Sequence, residues 1–367
     1  MRGLVQPNFD TPVGDFRKAW IGHMTDPDVR RHAASGGIVT GVFKYLLETG
    51  QIDAALVCGM RIENGTWQPD IYLSRSFDEL KRSQSSKYFD IPMMKGLSLI
   101  KEFDGKVGVV GLPSQINTIC KRMAQNEELA QKIAFKISIF CGHNSKDTLV
   151  KMVLAKHGIP LDEIDSFYYR QGLWRGEMVI KMKDGSERRM PFQQFSHYQN
   201  LHVLSLSRCL HCFDHYGYYA DLSTGDVWLP EKKGETVKPS AFLARSEKAE
   251  GVMQEMLDNG LIDAHRVTRK TIYHAQSRSV NYHYNVTARA RVGRLLGFKI
   301  REDIQTKATI RDYLGAFIVL LNHKISKHPN WLARFMKLPF PFVFAYVVLF
   351  KGLMHYKRPE YEQEPDQ

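Results

Sequence analysis

Two short apolar runs, each ending in a loop that opens a helix, constrain this chain more than any other feature. Val107-Gly-Val-Val110 leads into Gly111-Leu-Pro-Ser-Gln115 and a helical stretch to about Glu128. Lys136-Ile-Ser-Ile-Phe-Cys141 then forms a second run, ending at Gly142-His-Asn-Ser145. Strand, loop, helix, strand is the βαβ unit: its strands lie parallel, and ligands gather at their carboxyl ends. Ser114 and Cys141 occupy those ends, so the pattern predicts that they are close in space.

Other elements follow from periodicity. His32-Ala-Ala-Ser-Gly-Gly37 precedes Ile38, Val39, Val42, Phe43, Leu46 and Leu47, the spacing of a helix face, with Gly50 as terminator. Ala54 to Cys58 reads as a buried strand. Beyond Pro160 the texture changes: Glu177–Lys183, Asp184-Gly185 and Ser186–Met190 predict a hairpin. Cys209–Trp228 is an aromatic, histidine-rich loop, 239–262 a strand and helix, and 286–300 a basic helix. There is no internal repeat. The expectation is a two-lobed α/β chain: a βαβ-containing domain over 1–160, an α+β domain over 161–300, and a helical basic tail over 301–367, with the boundary near 155–165.

At 367 residues, 43% hydrophobic and 25% charged, the chain has the material for about two folded domains, which excludes a disordered or collagen-like polymer. Its net charge of +12 is unevenly spread. Residues 1–264 hold 33 basic and 32 acidic side chains, 265–358 hold 18 and 3, and 359–367 hold none and 4. Such a basic block attracts anionic lipid or a polyanionic ligand. No zinc-finger, RRM or KH signature is present, so nucleic acid is not expected as a partner. Met1–Asp10 lacks the order of a secretory leader, and no run reaches the roughly twenty apolar residues of a spanning helix, so a cytoplasmic protein is expected.

Four constellations carry chemistry. Ser35-Gly36-Gly37 at a helix start suits a phosphate, through free amides and the helix dipole, although the same triplet is a common turn. Cys209-Leu-His-Cys212 with Cys141 can grip zinc or one edge of an iron–sulfur cluster; His202, His211, His215 and Asp214 nearby leave zinc open, and a pair of inert buried thiols is the plainer reading. Ala220-Asp221-Leu-Ser-Thr-Gly225-Asp226-Val-Trp228 reads equally as two turns flanking a strand. Gln84-Ser-Ser-Lys87-Tyr88 offers a lysine for a phosphate and a tyrosine for a ring, or simple loop decoration.

Taken in order, Arg31–Thr40, Ser85–Tyr88, Gly111–Gln115, Phe140–Gly142, Cys209-x-x-Cys212 and Ala220–Trp228 resemble the coenzyme F-420-reducing hydrogenase beta-subunit family, over roughly residues 15–300. The resemblance implies a flavoprotein that holds FAD between its lobes, with a 4Fe–4S cluster beside it in many members. Carried over by position, Ser35, Gly36, Gly37 and Thr40 would line the flavin, Lys87 and Tyr88 would contact it, and Gly225 and Asp226 would lie near it. Cys141, Cys209 and Cys212 match cluster ligands.

One departure stands out. The family's usual Gly-x-Pro-Cys-Gln turn here carries Ser114, a hard and poor iron ligand, and the nearby Cys120 falls inside the following helix. Three surviving sulfurs favour a retained cluster, with zinc or no metal as alternatives. The resulting expectation is an FAD-dependent oxidoreductase passing a hydride between flavin and coenzyme F-420 or an organic substrate. Ferredoxin or another redox protein would be its electron partner, and the chain would act as a homo-oligomer or complex subunit. The rival is a zinc-stabilised scaffold that recruits partners through its basic end. His32, His143 and His211 are acid candidates, each with a structural role as the commoner explanation. Leu338–Phe350, too short to span a bilayer, suits a peripheral membrane contact, a partner surface or a core helix.

Overall fold

The computed structural model describes residues 7–173 and 175–363; the first six residues, included above in the leader reading, and the last four of the acidic tail lie outside them. The strands are β1 (Lys18–Met24), β2 (Ala54–Glu63), β3 (Thr66–Ser74), β4 (Val107–Gly111), β5 (Ile133–Ile139), β6 (Ile164–Gln171), β7 (Glu177–Met182), β8 (Glu187–Pro191), β9 (Leu222–Asp226), β10 (Ser240–Ala244) and β11 (Ile262–Arg266). Helices α1 (Pro27–Arg30), α2 (Ile38–Glu48), α3 (Phe77–Lys81), α4 (Gly96–Glu102), α5 (Pro113–Met123), α6 (Glu127–Lys132) and α7 (Thr148–Lys156) belong to the first half. The second half contributes α8 (Gln193–Asn200), α9 (Glu247–Asp258), α10 (Arg269–Tyr284), α11 (Val286–Leu296), α12 (Ile310–Ser326), α13 (Pro329–Met336) and α14 (Phe340–Met354).

Eight strands form one sheet in the order β11-β1-β10-β9-β5-β4-β2-β3. Its centre, β2, β4, β5 and β9, is parallel, as the βαβ pattern required, and antiparallel strands flank it. The sheet is covered on both faces. Along β10, Phe242 and Ala244 join Trp20 and Val57 against α2 and α9, whereas Ala241 and Leu243 face α10 with Ile21. Leu56, Val107 and Val109 meet Ile100 of α4 and Ile116 and Ile119 of α5. Each such side chain contributes about 1.5–3 kcal/mol by leaving water.

The chain leaves this sheet near residue 160 and returns to it with β9, β10 and β11. Between them it builds the three-stranded antiparallel sheet β6-β7-β8, whose β7–β8 hairpin turns at Asp184-Gly185 as expected. The carboxy-terminal helices are not an appendage: Val319, Leu320, Val343, Val347 and Phe350 share one core with Phe167, Ile180, Phe195 and Tyr198. The buried Arg358–Asp312 pair and the bond from Arg358 to the Lys307 carbonyl (2.8 Å) fasten the end of the chain over them.

Three local readings change. The strand seen as 54–58 runs to Glu63 and turns back at Asn64-Gly65, both at positive φ, into β3. Asn-Gly is the preferred hairpin turn, and it is the sequence signal for β3. The helix expected to reach Glu128 breaks at Met123 because the Asn126 side chain accepts from Leu129 N at 2.8 Å and caps a new helix. Leu338–Phe350 is both core and surface: Val343, Val347 and Phe350 are buried, but Phe342, Val348 and Leu349 are 67%, 51% and 70% exposed. No single described helix is long and apolar enough to cross a membrane; α13 and α14 reach that length together but are bent by 103°.

Candidate functional site

Where β4, β5 and β9 end, the loop before α2 closes over them and leaves a cavity of about 290 Å³. Ligand clefts start near 300 Å³, and in sheets of this kind they open at the carboxyl edge (both rough norms). Its lining draws on segments 33–40, 83–88, 110–115, 139–144 and 224–226. Ser35, Gly37, Thr40, Lys87, Tyr88, Gly225 and Asp226 all lie there, as does Cys141. Gly36 does not. Its amide donates to Ser240 Oγ at 2.9 Å and its carbonyl accepts from Met24 N at 2.8 Å, so it fastens the loop to the sheet.

Gly37, at φ +80°, adopts the left-handed conformation that starts α2 without a side-chain cap. The first-turn amides of α2, which have no intrahelical acceptor, therefore open at the cavity wall. A β-carbon on Gly225 would stand 2.4 Å from the Phe140 ring, so only glycine lets that ring lie against β9. Tyr88 packs against Tyr169, Phe192 and Phe195 with centroids 5.4, 5.4 and 5.8 Å away. Lys87 directs its ammonium to the Ser83, Gln84 and Ser85 carbonyls at 2.7, 3.1 and 3.1 Å. Its charge shapes the loop, and burial lowers its pKa to about 8.

Asp226 is held by a residue the sequence reading missed. Arg170, on β6, donates from Nη1 to Asp226 Oδ2 at 2.6 Å, from Nη2 to Oδ1, and from Nη2 to the Ala34 carbonyl at 2.6 Å. Burial opposes ionisation of Asp226, yet the Arg170 charge and hydrogen bonds outweigh it and hold the carboxyl below the usual range. One guanidinium thus joins the small sheet, β9 and the loop before α2.

Buried polar atoms without a hydrogen-bond partner among the described residues include Gln84 Oε1 and His143 Nε2, on residues that line the cavity, and Lys238 Nζ, which interacts electrostatically with Asp226. Burial, then the Arg170 charge, lowers the Lys238 amine to about 8. The neighbouring Asp226 carboxylate offsets this in part, but it is already engaged by Arg170. Val39, Val57, Ile91, Met93 and Ile139 offer apolar wall for a planar ring. The donor set and the wall fit a flavin dinucleotide.

The cysteines lie at the same edge. Gly111 pairs with Ser138, so Ser114 and Cys141 each follow three residues past neighbouring strand positions. Cys141 N donates to the His215 carbonyl at 3.0 Å, and Cys209 Sγ accepts from Asn144 N at 3.4 Å. Burial raises the Cys141 thiol well above its ordinary pKa, with Cys209, Cys212 and Asp214 adding to the rise, and burial pushes Cys212 up to about 12. The three sulfurs share one electrostatic environment, in which bound cationic metal would supply the stabilisation that burial withholds from thiolates. Ser114 is exposed in the first turn of α5, and no hydrogen bond among the described residues joins its hydroxyl to these sulfurs. Cys120 is buried in the core beneath α5.

A second missed residue positions the Cys-x-x-Cys turn. Fully buried Arg289 donates from Nε to the Leu210 carbonyl at 3.0 Å, from Nη2 to the Cys212 carbonyl at 2.6 Å and from Nη1 to the His283 carbonyl at 3.0 Å. Among the described residues no three His, Cys, Asp or Glu side chains close on a single metal ion. An iron–sulfur cluster is larger than an ion and keeps its thiolates further apart. Cys141, Cys209 and Cys212 are the residues that would hold one.

The three histidines have structural partners. His32 stacks on Tyr168 and lies 3.3 Å from Gln171 Nε2, and His211 Nδ1 accepts from Arg301 N at 3.1 Å. His143 stacks on His202 at 3.8 Å, and burial lowers its pKa to about 4.

Comparison with known proteins agrees with this geometry. A model described as coenzyme F420 hydrogenase/dehydrogenase, beta subunit N-term matches residues 19–98, and its C-terminus counterpart matches residues 104–270. An uncharacterised protein of Methanocaldococcus jannaschii is 30% identical over 237 residues, 63% of this chain and 81% of that protein. The coenzyme F420-dependent sulfite reductase of the same organism is 29% identical over 59% of this chain but only 34% of its own length. The coenzyme F420 hydrogenase subunit beta of Methanothermobacter thermautotrophicus is 25% identical over 68% of this chain and 85% of its own. A chain of the F420-reducing nickel–iron hydrogenase complex from Methanosarcina barkeri shares the fold, with a TM-score of 0.62 over 82% of this chain and 99% of that one at 18% identity.

Proposed function

Because the chain belongs to the coenzyme F420 hydrogenase/dehydrogenase beta subunit family, we propose that it is an oxidoreductase whose FAD occupies the cavity over β4, β5 and β9. Its second redox partner would be coenzyme F420 or an organic substrate. The observation that carries this reading is the meeting, at one cavity, of the open amides of α2, the Tyr88 and Phe140 rings and an Asp226 immobilised by Arg170. The amides would hold phosphate. Phe140 and Tyr88 form an aromatic wall that excludes water, and Arg170 keeps Asp226 ionised and fixed in direction. When bound, flavin supplies hydride exchange and single-electron exchange with an iron–sulfur centre. Cys141, Cys209 and Cys212 would hold that centre, with the Asn144 amide and Arg289 fixing the turn around it.

Relatives named as hydrogenase subunit beta support a role as a subunit in a larger redox assembly, with ferredoxin or another redox protein as electron partner. The test is direct. Protein purified without oxygen is denatured and its supernatant analysed by mass spectrometry, and flavin-stripped protein is melted with and without added FAD. Released FAD and a raised melting temperature are expected; no nucleotide and an unchanged melt would overturn the reading.

A further inference from the structure

A second cavity, of about 240 Å³, adjoins the first across a wall of Tyr88, Phe140, Gly142, His143 and Asp226, residues that line both. Its charge is one-sided. Arg175, after β6, Arg278, on α10, and Lys351, on α14, line it. The only carboxylate in the lining is Asp226, which Arg170 already engages through both oxygens. Among the described residues none of the three cations forms an ion pair, and their side chains make no hydrogen bond. They act on one another instead. Burial first, then the Arg278 and Arg175 charges, lowers Lys351 to about 8, and burial and Arg175 lower Arg278. Like charges gathered without a counter-ion in a half-buried hollow destabilise the fold. The arrangement is favourable only when an anion sits among them.

The rest of the lining is of another kind. His143 and His202 stack at 3.8 Å on one side, and His202 Nδ1 is buried without a partner. Gln193, Asn200 and Ser279 add neutral hydrogen-bonding groups. That mixture of cationic and neutral polar groups suits an organic molecule with an acidic group and hydroxyls. Arg278 and Lys351 both lie beyond residue 270, where the family match ends, so this cavity owes its charge largely to the chain's own carboxy-terminal segment.

We propose that the second cavity binds a small organic anion bearing a phosphate or paired carboxylates, with its acid group among Arg175, Arg278 and Lys351. Resting on the flavin reading above, this assigns the redox partner to the class of acidic organic substrates, presented across the Tyr88–Phe140 wall. Helix α14 is then the specificity element, because its inner face supplies Phe350, Lys351 and Met354 to the cavity.

The experiment uses the full chain and two probes, inorganic pyrophosphate and citrate, titrated by calorimetry at constant ionic strength, with chloride as reference. Saturable binding of at least one probe is expected. Arg278→Gln and Lys351→Gln should each weaken it about tenfold, the scale of one charge-assisted hydrogen bond. Arg175→Gln, on an exposed turn that cannot compromise folding, should weaken it as well, whereas Lys324→Gln on α12 should not. In the absence of anion, Lys351→Gln should melt higher than the parent, since it relieves repulsion; a purely structural lysine would give the opposite sign. Probes binding no better than chloride, or cavity variants binding as the parent does, would overturn the proposal. Flavin content is measured on the same samples: flavin present without anion binding sinks this proposal alone, and anion binding without flavin sinks the cofactor reading alone.

Discussion

Replacing Arg170 with methionine tests the architecture of the cleft most sharply. The guanidinium is 1% exposed and makes two bonds to Asp226 and one to the Ala34 carbonyl. Methionine keeps much of the packing volume but leaves Asp226 buried without its counter-ion. Breaking a buried pair in this way costs about 3–5 kcal/mol. The lost bond to Ala34 adds about 1 kcal/mol. Removing both partners, in Arg170→Met/Asp226→Asn, should recover roughly half of that loss, because no charge is left stranded. The pH dependence reverses sign. In the parent, Asp226 is held below the usual carboxylate range, so its contribution is complete at neutral pH and disappears as pH falls through that lowered value. In Arg170→Met the Lys238 charge and the Ser35 hydrogen bond remain, but burial, the largest influence, is no longer outweighed by the guanidinium, so the folded pKa should rise above the unfolded one and mild acid should restore stability. Urea denaturation of flavin-free protein at neutral pH and near pH 5 reads both effects. A loss under about 1 kcal/mol, or a variant that weakens further on mild acidification, would refute the reasoning.

Cys209→Ala and Cys212→Ala should each remove bound iron, measured by metal analysis of anaerobically purified protein, and Ser114→Cys should raise iron occupancy; unchanged iron in all three would separate these residues from any cluster. Burial lowers His197 and His323 to about 4 from an ordinary 6.5, so the unfolded chain takes up their protons first. Melting temperature should therefore fall as pH drops from about 6.5 toward 4, and His323→Gln should flatten that slope. The exposed Phe342, Val348 and Leu349 of α14, in a segment rich in Lys and Arg, predict sedimentation with vesicles rich in anionic lipid and not with neutral ones. Phe342→Ser/Leu349→Ser should abolish it without lowering the melting temperature, since both side chains are exposed.

What the sequence disclosed was local or repetitive. The βαβ unit around Val107–Cys141, the Asp184-Gly185 hairpin and the α2 helix follow from short-range periodicity and turn chemistry, and each formed, although the helix inside the βαβ unit is split at Met123. The candidate cofactor residues near Gly37 and Asp226 form an ordered set of short motifs, and the fold brings all of them but Gly36 to one cavity. Long-range partners were not legible. Arg170 meets Asp226 across 56 positions, and Arg289 reaches Cys212 across 77. No periodicity announces that a basic residue on a strand or helix will be buried against carbonyls supplied by a distant loop. The helices after 310 look like a charged appendage because their cations dominate the composition, although their smaller apolar residues complete a core begun near residue 149.

The order of strands in the large sheet limits how this polypeptide can be divided or recombined. Ile137, Ser138 and Ile139 of β5 find their neighbours in Leu222, Ser223 and Thr224, so a fragment stopping near 160 would present a naked ladder of amides and carbonyls in mid-sheet. Bare edges of that kind recruit other chains. Proteolytic halves should precipitate when separated and survive only when made together. Gene fusions that respect this protein's integrity must therefore join it at its ends, or within the Lys183–Ser186 turn, and not at the apparent seam.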